Sequence, residues 1–223
     1  MPNKRDHDAL NNQNAHWEAT YSDQAEMFGE NPSESAKKAA AIFKQEGKTK
    51  ILELGGGQGR DTLFFAQNGF HVYVLDYSDT GIKEIKSQAD ALGLSEYITA
   101  IRHDAREPLP FDNDFFDACY SHMFFCMAFS TKELEFIFDE VERVLKPGGI
   151  HIYTVRNTSD PHFGKGIHRG EDMYEANGFI VHFFSEEKAR QLSKNFDSVD
   201  IATFEEDELP RRLYYVTSRK QYP

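Results

Sequence analysis

A cluster of glycines between an apolar segment and a helical segment constrains this sequence more than any other feature. Residues 49–54 read as a buried strand, four glycines lie within 55–59, and a helical pattern follows to residue 67. Glycine permits the left-handed backbone of a tight turn and lets the main chain approach a ligand closely. The order of strand, glycine turn and helix therefore predicts a binding site for a nucleotide-like molecule.

The spacing of these glycines disfavours a dinucleotide site. That fingerprint needs glycine at the first, third and sixth positions of the turn. Counted from Gly55 the sixth position is Arg60, and counted from Gly57 it is Thr62. A nicotinamide-dependent oxidoreductase is therefore the weaker interpretation of the turn.

Helical and extended segments alternate along the rest of the chain, which predicts an α/β fold with a mostly parallel sheet. Polar residues mark the expected helix starts: Asn31 before Pro32, Ser78, and Ser130 with Glu133 in a capping box. Further strands are expected at 71–75, 97–101, 115–120, 150–155, 198–205 and 212–218. Residues 156–173 lack apolar periodicity and predict a long loop, which we interpret as a substrate lid.

Composition narrows the class of protein. A chain of 223 residues with 39% hydrophobic side chains suits a single domain over 1–223. The formal charge of −12 makes nucleic acid an unlikely partner, because binding a phosphate backbone depends on clustered cations. Two cysteines, Cys119 and Cys126, are too few for a disulfide framework. Without an apolar run of bilayer length or an apolar signal core, we expect a cytoplasmic protein with no membrane partner.

Four segments, taken in order, resemble the class I S-adenosylmethionine-dependent methyltransferases. They are the glycine turn after Glu53, the acid Asp76 after the second strand, His103-Asp104-Ala105 after the third, and Leu145-Lys146-Pro147-Gly148-Gly149 before the fifth. The small-molecule branches of that family, of the ubiquinone-biosynthesis, tellurite-resistance and thiopurine types, are the most similar. The resemblance implies a Rossmann-like, doubly wound sheet of seven strands in the order 3-2-1-4-5-7-6, with strand 7 antiparallel. It also implies S-adenosylmethionine as cofactor and S-adenosylhomocysteine as product.

The same resemblance assigns the adenosine half of the cofactor to four residues. Asp76 would accept both ribose hydroxyls, because a carboxylate offers two oxygens to a vicinal diol, and Tyr77 would cover the adenine face. Asp104 would accept the adenine amino group, and the Ala105 amide would meet a ring nitrogen.

The methionine half falls to residues around the glycine turn. Glu53 and the turn backbone would hold it, and Ser121 lies where the family places residues beneath this arm. Tyr21, with Trp17, resembles an aromatic lid in an N-terminal helical segment over 1–30. The turn residues concerned are Gly55, Gly56 and Gly57.

Methyl transfer is an in-line displacement, so the enzyme aligns the acceptor and excludes water. A general base helps when the acceptor is a hydroxyl or a protonated amine, and histidine is the usual choice. We favour His122 and His168 among the histidines, against the alternative that each has a structural or exposed role. His162 and His168 are too few ligands for a metal site, so no metal is expected.

The acceptor is expected to be a small, partly apolar molecule. Residues 121–124 differ from the Asp/Asn-Pro-Pro-aromatic motif of amino-directed nucleic-acid methyltransferases, and phenylalanines are frequent between 124 and 184. The interval 156–184 is the expected substrate loop. A protein methyltransferase, or a module that binds S-adenosylmethionine or S-adenosylhomocysteine without catalysis, are the alternatives. The sequence leaves the acceptor's identity and the oligomeric state open.

Overall fold

The computed structural model describes residues 9–10, 12–24, 27, 29, 31–206 and 211–222. Its helices are α1 Gln13–Asp23, α2 Glu34–Gln45, α3 Arg60–Gln67, α4 Asp79–Ala91, α5 Thr131–Val144 and α6 Glu186–Leu192. Its strands are β1 Lys50–Leu54, β2 His71–Asp76, β3 Ile98–Arg102, β4 Phe116–His122, β5 Leu145–Arg156, β6 Ile167–Gly170, β7 Met173–Ala176, β8 Phe179–His182, β9 Phe196–Glu206 and β10 Arg211–Lys220.

Seven of these strands form one sheet in the order β3-β2-β1-β4-β5-β10-β9. Strands β1 to β5 are mutually parallel, and β10 is antiparallel to both of its neighbours. The predicted α/β fold and strand order are confirmed, since the two closing strands are β9 and β10. In such a sheet the carboxyl ends of the parallel strands share one edge, where ligands bind. Glu53, Asp76, His122 and Arg156 lie at or next to those ends.

The centre of the sheet is buried on both faces. Strands β1, β4 and β5 have nearly continuous runs of buried residues, as expected for parallel strands covered by helices on both sides. Helix α5 packs the apolar face formed by Leu134, Ile137, Phe138 and Val141 against one side. Helix α2 packs Ala36, Ala40 and Phe43 against the other.

Helix caps agree with the sequence at two of three predicted sites. The Ser78 hydroxyl accepts the Gly81 amide, and Ser130 with Glu133 forms the full capping box. The prediction of an Asn31 cap is wrong. Helix α2 begins at Glu34, and its cap is Ser33, whose hydroxyl accepts the Ala36 amide at 3.0 Å. Ser33 takes this role because its own amide and hydroxyl are held by the buried Asp61 carboxylate.

The prediction of a loop over 156–173 is partly wrong, because β6 lies inside that interval. With β7 and β8 it forms a separate three-stranded antiparallel sheet inside the expected substrate loop 156–184. Asn177 and Gly178 both have positive φ angles, 53° and 83°, and join β7 to β8 as a tight hairpin. Asn-Gly between short apolar runs is a strong hairpin signal, which the absence of helical periodicity concealed. The other hairpin turns at Glu171 and Asp172, a pair without such a signature.

Among the described helices, none has both the length and the apolar character that a transmembrane segment requires.

His151 is an unusual member of the core. It is fully buried on β5, and neither ring nitrogen has a hydrogen-bond partner among the described residues. The rings of Phe125, Phe138, Tyr153 and Phe196 surround it at 5.0 to 5.6 Å between centroids. Burial lowers the pKa of His151 to about 3. The side chain therefore serves as a neutral aromatic ring whose polar atoms reduce stability.

Replacing His151 with leucine should raise the free energy of unfolding by about 1–3 kcal/mol, because the side chain of similar volume leaves no unpaired polar atom. The gain should grow by about 2 kcal/mol between pH 7 and pH 5. Over that range the unfolded histidine takes up a proton and the folded one does not, since its pKa is about 3. Urea denaturation at both pH values measures the difference. Exposed His168→Leu is the control, and equal pH dependence in wild type and His151→Leu contradicts the interpretation.

Candidate functional site

A cavity of about 1020 Å³ opens at the carboxyl ends of the parallel strands. One half is lined by Glu53 near the end of β1, by the glycine turn that follows β1, and by Asp76 at the end of β2. The other half is lined by apolar and aromatic side chains from the segment after β4 and from the small sheet. They include Phe124, Met127, Tyr174, Phe179, Ile180 and Phe183. The sheet order therefore gives one cavity a polar half and an apolar half.

The glycine turn has no room for side chains. Gly55 has a φ of +73°, and a Cβ atom there would lie 2.5 Å from Cδ2 of Phe124. Gly57 has a φ of +55°, and its amide donates to Oδ2 of Asp76 at 2.8 Å. A Cβ atom on Gly57 would lie 3.1 Å from the Tyr21 hydroxyl. The turn thus presents bare backbone to the cavity and joins it to the acid that ends the neighbouring strand.

Two buried carboxyl groups flank the turn. Asp76 accepts the Gly57 amide and, through Oδ1, the Ser78 amide at 2.9 Å. Burial nevertheless raises the pKa of Asp76 to about 6. Glu53 accepts the Thr62 hydroxyl at 2.5 Å, and burial, followed by the nearby Asp61, raises its pKa to about 8. A ligand that brings a positive charge and hydroxyl donors would favour the ionised form of both groups.

Helix α1 lies across the cavity. Its Glu18 carboxylate accepts the Ser78 hydroxyl at 2.6 Å and the Thr80 amide at 3.0 Å, at the start of α4. The Trp17 ring lies between Tyr21, at 5.5 Å, and Phe179 of the small sheet, at 4.8 Å. Helix α1 therefore contacts the polar half and the apolar half together.

A second contact fixes α1 to the small sheet. The Gln13 amide donates to the Gly178 carbonyl at 2.9 Å, and its oxygen accepts the Ile180 amide at 3.2 Å. Of the expected N-terminal segment, residues 1–8, 11, 25–26, 28 and 30 lie outside the described residues.

His122, at the end of β4, lines the cavity between its two halves. Its Nδ1 atom lies 2.9 Å from the Ser35 hydroxyl and 2.9 Å from the Thr154 hydroxyl. The Ser35 hydroxyl is also 2.7 Å from Tyr120 Oη, which donates to the Asp61 carboxylate at 3.0 Å. A chain of buried hydrogen bonds thus links a carboxylate to the histidine.

The hydrogen bonds on the Ser35 side favour one tautomer of His122. A carboxylate only accepts, so Tyr120 and Ser33 both give their hydroxyl protons to Asp61. The Ser35 hydroxyl must then donate to one of these oxygens, since neither has a proton left to give. Toward His122 the Ser35 oxygen can only accept, so Nδ1 carries the proton. In a neutral ring, Nε2 is then the basic nitrogen.

Nitrogen NMR of labelled histidines should show His122 as the Nδ1–H tautomer at neutral pH. Ser35→Ala removes the accepting hydroxyl, so the tautomer population should become mixed, because the Thr154 hydroxyl can also donate. Exposed His168 is the internal reference and should not change between the two proteins. A wild-type His122 protonated on Nε2 contradicts the hydrogen-bond direction.

The predicted site residues divide into two groups. Those that line the cavity are Tyr21, Glu53, Gly55, Gly56, Gly57, Asp76, Tyr77 and His122. The other four do not line it. Asp104 is bonded by Arg106, with 2.6 Å between Oδ2 and Nη2, and Ala105 is buried beside it. Ser121 is fully buried, and its hydroxyl has no partner among the described residues.

His168 is exposed on β6, with its ring 4.9 Å from that of Tyr174. The structure therefore does not bring His168 together with His122 at the cavity.

Sequence reasoning missed several residues of the site. Arg156 ends β5 and lines the cavity, and Ser35 and Asp61 support His122 from α2 and α3. Arg156 had a usable signal, since it is the last residue of a strand whose carboxyl end meets the ligand edge. Ser35 and Asp61 had none, because each reaches the site through helix packing.

Comparison with known proteins agrees with this geometry. The family described as "Methyltransferase domain" matches residues 51–149. Demethylmenaquinone methyltransferase of Clavibacter sepedonicus is 31% identical over 128 residues, which cover 56% of this chain and 47% of that protein. Glycine/sarcosine/dimethylglycine N-methyltransferase of Actinopolyspora halophila is 31% identical over 114 residues, covering 51% and 20%. The chain thus spans less than half the length of these curated relatives.

The fold has close structural counterparts. Burkholderia thailandensis 1,6-didemethyltoxoflavin-N1-methyltransferase, solved with its substrate and S-adenosylhomocysteine, superposes with a TM-score of 0.77 at 18% identity. The match covers 100% of this chain and 93% of that one, so it includes the small sheet and the closing strands. The comparison shows that the two proteins share one fold, which in this chain is built on the seven-stranded sheet.

Proposed function

We propose that this protein transfers a methyl group from S-adenosylmethionine to a small, partly apolar acceptor, since the family described as a methyltransferase domain matches residues 51–149. The observation that carries this proposal is the shared cavity. Its polar half combines a bare glycine turn with two buried acids, its other half is largely apolar, and the whole cavity of about 1020 Å³ exceeds what one small ligand needs. The product would be S-adenosylhomocysteine.

The residues of the polar half suit the cofactor. Asp76 is held by two backbone amides and can accept the ribose hydroxyls with its remaining lone pairs. Glu53 would face the methionine portion, and Tyr77 with Tyr21 would enclose the adenosine. When bound, S-adenosylmethionine supplies an electrophilic methyl group on a sulfonium. Asp104, Ala105 and Ser121 stay proposals for cofactor contact, although none of the three lines the cavity.

His122 is the proposed general base. It lines the cavity where the polar and apolar halves meet, and the hydrogen bonds at Nδ1 make Nε2 the basic atom. An acceptor hydroxyl or ammonium would give its proton to Nε2, with Ser35 stabilising the protonated ring by accepting from Nδ1. His168, the other predicted base, is a weaker proposal because it lies away from the cavity lining.

Four broader expectations also stay proposals. The charge of −12 supports a protein that does not bind nucleic acid. The two buried free thiols, Cys119 and Cys126, support a cytoplasmic location. We also propose that 1–223 acts as one domain and that 156–184, with its small sheet, encloses the acceptor.

S-adenosylmethionine and S-adenosylhomocysteine should raise the melting temperature, whereas NAD should not, because a ligand stabilises the folded state that it binds. Asp76→Ala should weaken S-adenosylhomocysteine binding by about 1–3 kcal/mol through the loss of charge-assisted hydrogen bonds. Thermal shift and titration calorimetry measure the two effects. Asp79→Ala, an exposed acid three residues away, is the matched control. Stabilisation by NAD alone would overturn the proposal.

His122→Gln should lower kcat by about 10²–10⁴-fold, because the general base is lost, with little change in S-adenosylhomocysteine affinity. A labelled-methyl screen of small hydroxyl and amine compounds first supplies an acceptor, and steady-state kinetics then compares the variants. His71→Gln, at an exposed histidine that begins β2, is the control and should keep wild-type kcat. An unchanged kcat in His122→Gln removes this residue as the base, and a screen without any transfer favours the non-catalytic alternative.

A further inference from the structure

The two ends of the cavity differ in charge as well as in polarity. Among the described residues that line it, the carboxylates are Glu53, Asp61, Asp76 and Glu84, all from the first half of the sheet. The lining contributed by residues 122–211 includes no described carboxylate, but it includes Arg156, Lys165 and Arg211. In a protein with a net charge of −12, cations collected at one end of a cavity require an explanation.

Strand order separates the two ends. Asp76 ends β2 and Arg156 ends β5, with β1 and β4 between them. Three strand spacings correspond to about 14 Å. A cofactor at the acidic end and an acceptor above β4 would therefore leave Arg156 near the far end of the acceptor.

Hydrogen bonds to a buried carboxylate fix the orientation of the Arg156 guanidinium. Its Nε and Nη2 atoms donate to the Asp160 carboxylate at 3.0 and 2.5 Å, and the Asp160 side chain is fully buried. Asp160 also accepts the amides of His162, at 2.8 Å, and Arg212, at 3.0 Å. These bonds leave Nη1 without a hydrogen bond among the described residues, on a side chain that lines the cavity.

The neighbouring side chains add donors to the same end. Arg156 Nη2 lies 2.8 Å from Nδ1 of His162, and arginine has only donors, so Nδ1 accepts. The proton of a neutral His162 is then on Nε2. The Lys165 ammonium is exposed, and no described carboxylate pairs with it. Within the part of the chain that the structure describes, donors and positive charge therefore meet at this end without a lining carboxylate.

The wall next to these donors is apolar. The Arg156 guanidinium lies 5.2 Å from the centre of the Phe183 ring, and Tyr174 packs against that ring. Phe179, Phe124 and His122 also line the cavity. A molecule that fits both features has a planar apolar body and an anionic group at one end.

We infer that the acceptor is an apolar carboxylic acid whose carboxylate binds Nη1 of Arg156 and the Lys165 ammonium. The group to be methylated would lie at the opposite end, beside His122. The inference rests on the proposed function and specifies its substrate class. A carboxylate suits the site because its two oxygens can accept charge-assisted hydrogen bonds from Nη1 of Arg156 and from the Lys165 ammonium. Asp160 would serve as a positioning residue, since it fixes the guanidinium without facing the cavity.

The test compares 2-naphthoate with 2-naphthamide and 2-naphthylmethylamine, three probes of similar shape and different charge. Each probe is titrated into the full chain in the presence of saturating S-adenosylhomocysteine, and NMR measures its binding. We expect 2-naphthoate to bind about tenfold more tightly than the amide, as a charge-assisted hydrogen bond would give, and the amine to bind more weakly still.

Two variants test whether Lys165 and Arg156 cause the preference for the acid over the amide. Lys165→Gln should reduce the acid-over-amide preference several-fold, and Lys132→Gln, an exposed lysine on α5, should leave it unchanged. Arg156→Lys keeps a cation against buried Asp160 but loses the Nη1 edge, so the preference should fall there too. A wild type that binds acid and amide equally, prefers the amine, or does not bind the acid overturns the inference.

A separate titration with S-adenosylhomocysteine alone distinguishes the two levels of the proposal. If S-adenosylhomocysteine binds but the three naphthalene probes show no preference for the acid, the substrate class is wrong and the methyltransferase proposal stands. If S-adenosylhomocysteine does not bind, the proposed function itself fails.

Discussion

The close contact of backbone at the end of β1 is the constraint on which the rest of the site depends. A Cβ atom on Gly56 would lie 2.2 Å from Val74, and one on Gly81 would lie 2.4 Å from the Gly57 carbonyl. Such approaches bring the starts of α3 and α4 against the turn, so that the Gly57 amide reaches the Asp76 carboxylate. A side chain at these positions would separate β1 from α4 and remove the concave surface that a cofactor needs.

From this turn the cavity follows by strand order. The strand order β2-β1-β4-β5 places the acids Asp76 and Glu53 first, then His122, then Arg156 along one edge of the sheet. Each strand contributes its last residues, so a short stretch of backbone fixes each functional group. Buried hydrogen bonds orient two of these groups. Asp61 acts on His122 through Tyr120 and Ser35, and Asp160 acts directly on Arg156. Charge separation across the cavity is thus a consequence of topology as much as of composition.

Helix α1 and the small sheet close the same cavity from above. Glu18 fixes α1 to the start of α4, while Trp17 and Gln13 contact the β7–β8 hairpin. A cofactor and an acceptor on opposite sides would therefore share one cover. This arrangement supports the exclusion of water that a methyl transfer requires.

The sequence by itself determined the alternation of strands and helices, the glycine turn, and Glu53 and Asp76 beside it. These features depend on local patterns: apolar periodicity, turn glycines, and polar residues at strand ends. The strand order followed from the resemblance to a known family, because no local pattern specifies it. Two caps, at Ser78 and Ser130, were predictable for the same reason, since each involves residues three apart. At Ser33 the local pattern failed, because a carboxylate from another helix decides the cap.

Only the tertiary structure decided which distant side chains meet. Ser35 reaches His122 across 87 positions of the sequence, and Tyr120 reaches Asp61 across 59. The small sheet consists of strands of four residues, too short for periodicity to distinguish from a loop. His168 and His122 looked equivalent as sequence, yet one is exposed on β6 and the other lines the cavity. The physical reason is common to all of these: packing, which no local pattern encodes, sets the orientation of each element toward its neighbours.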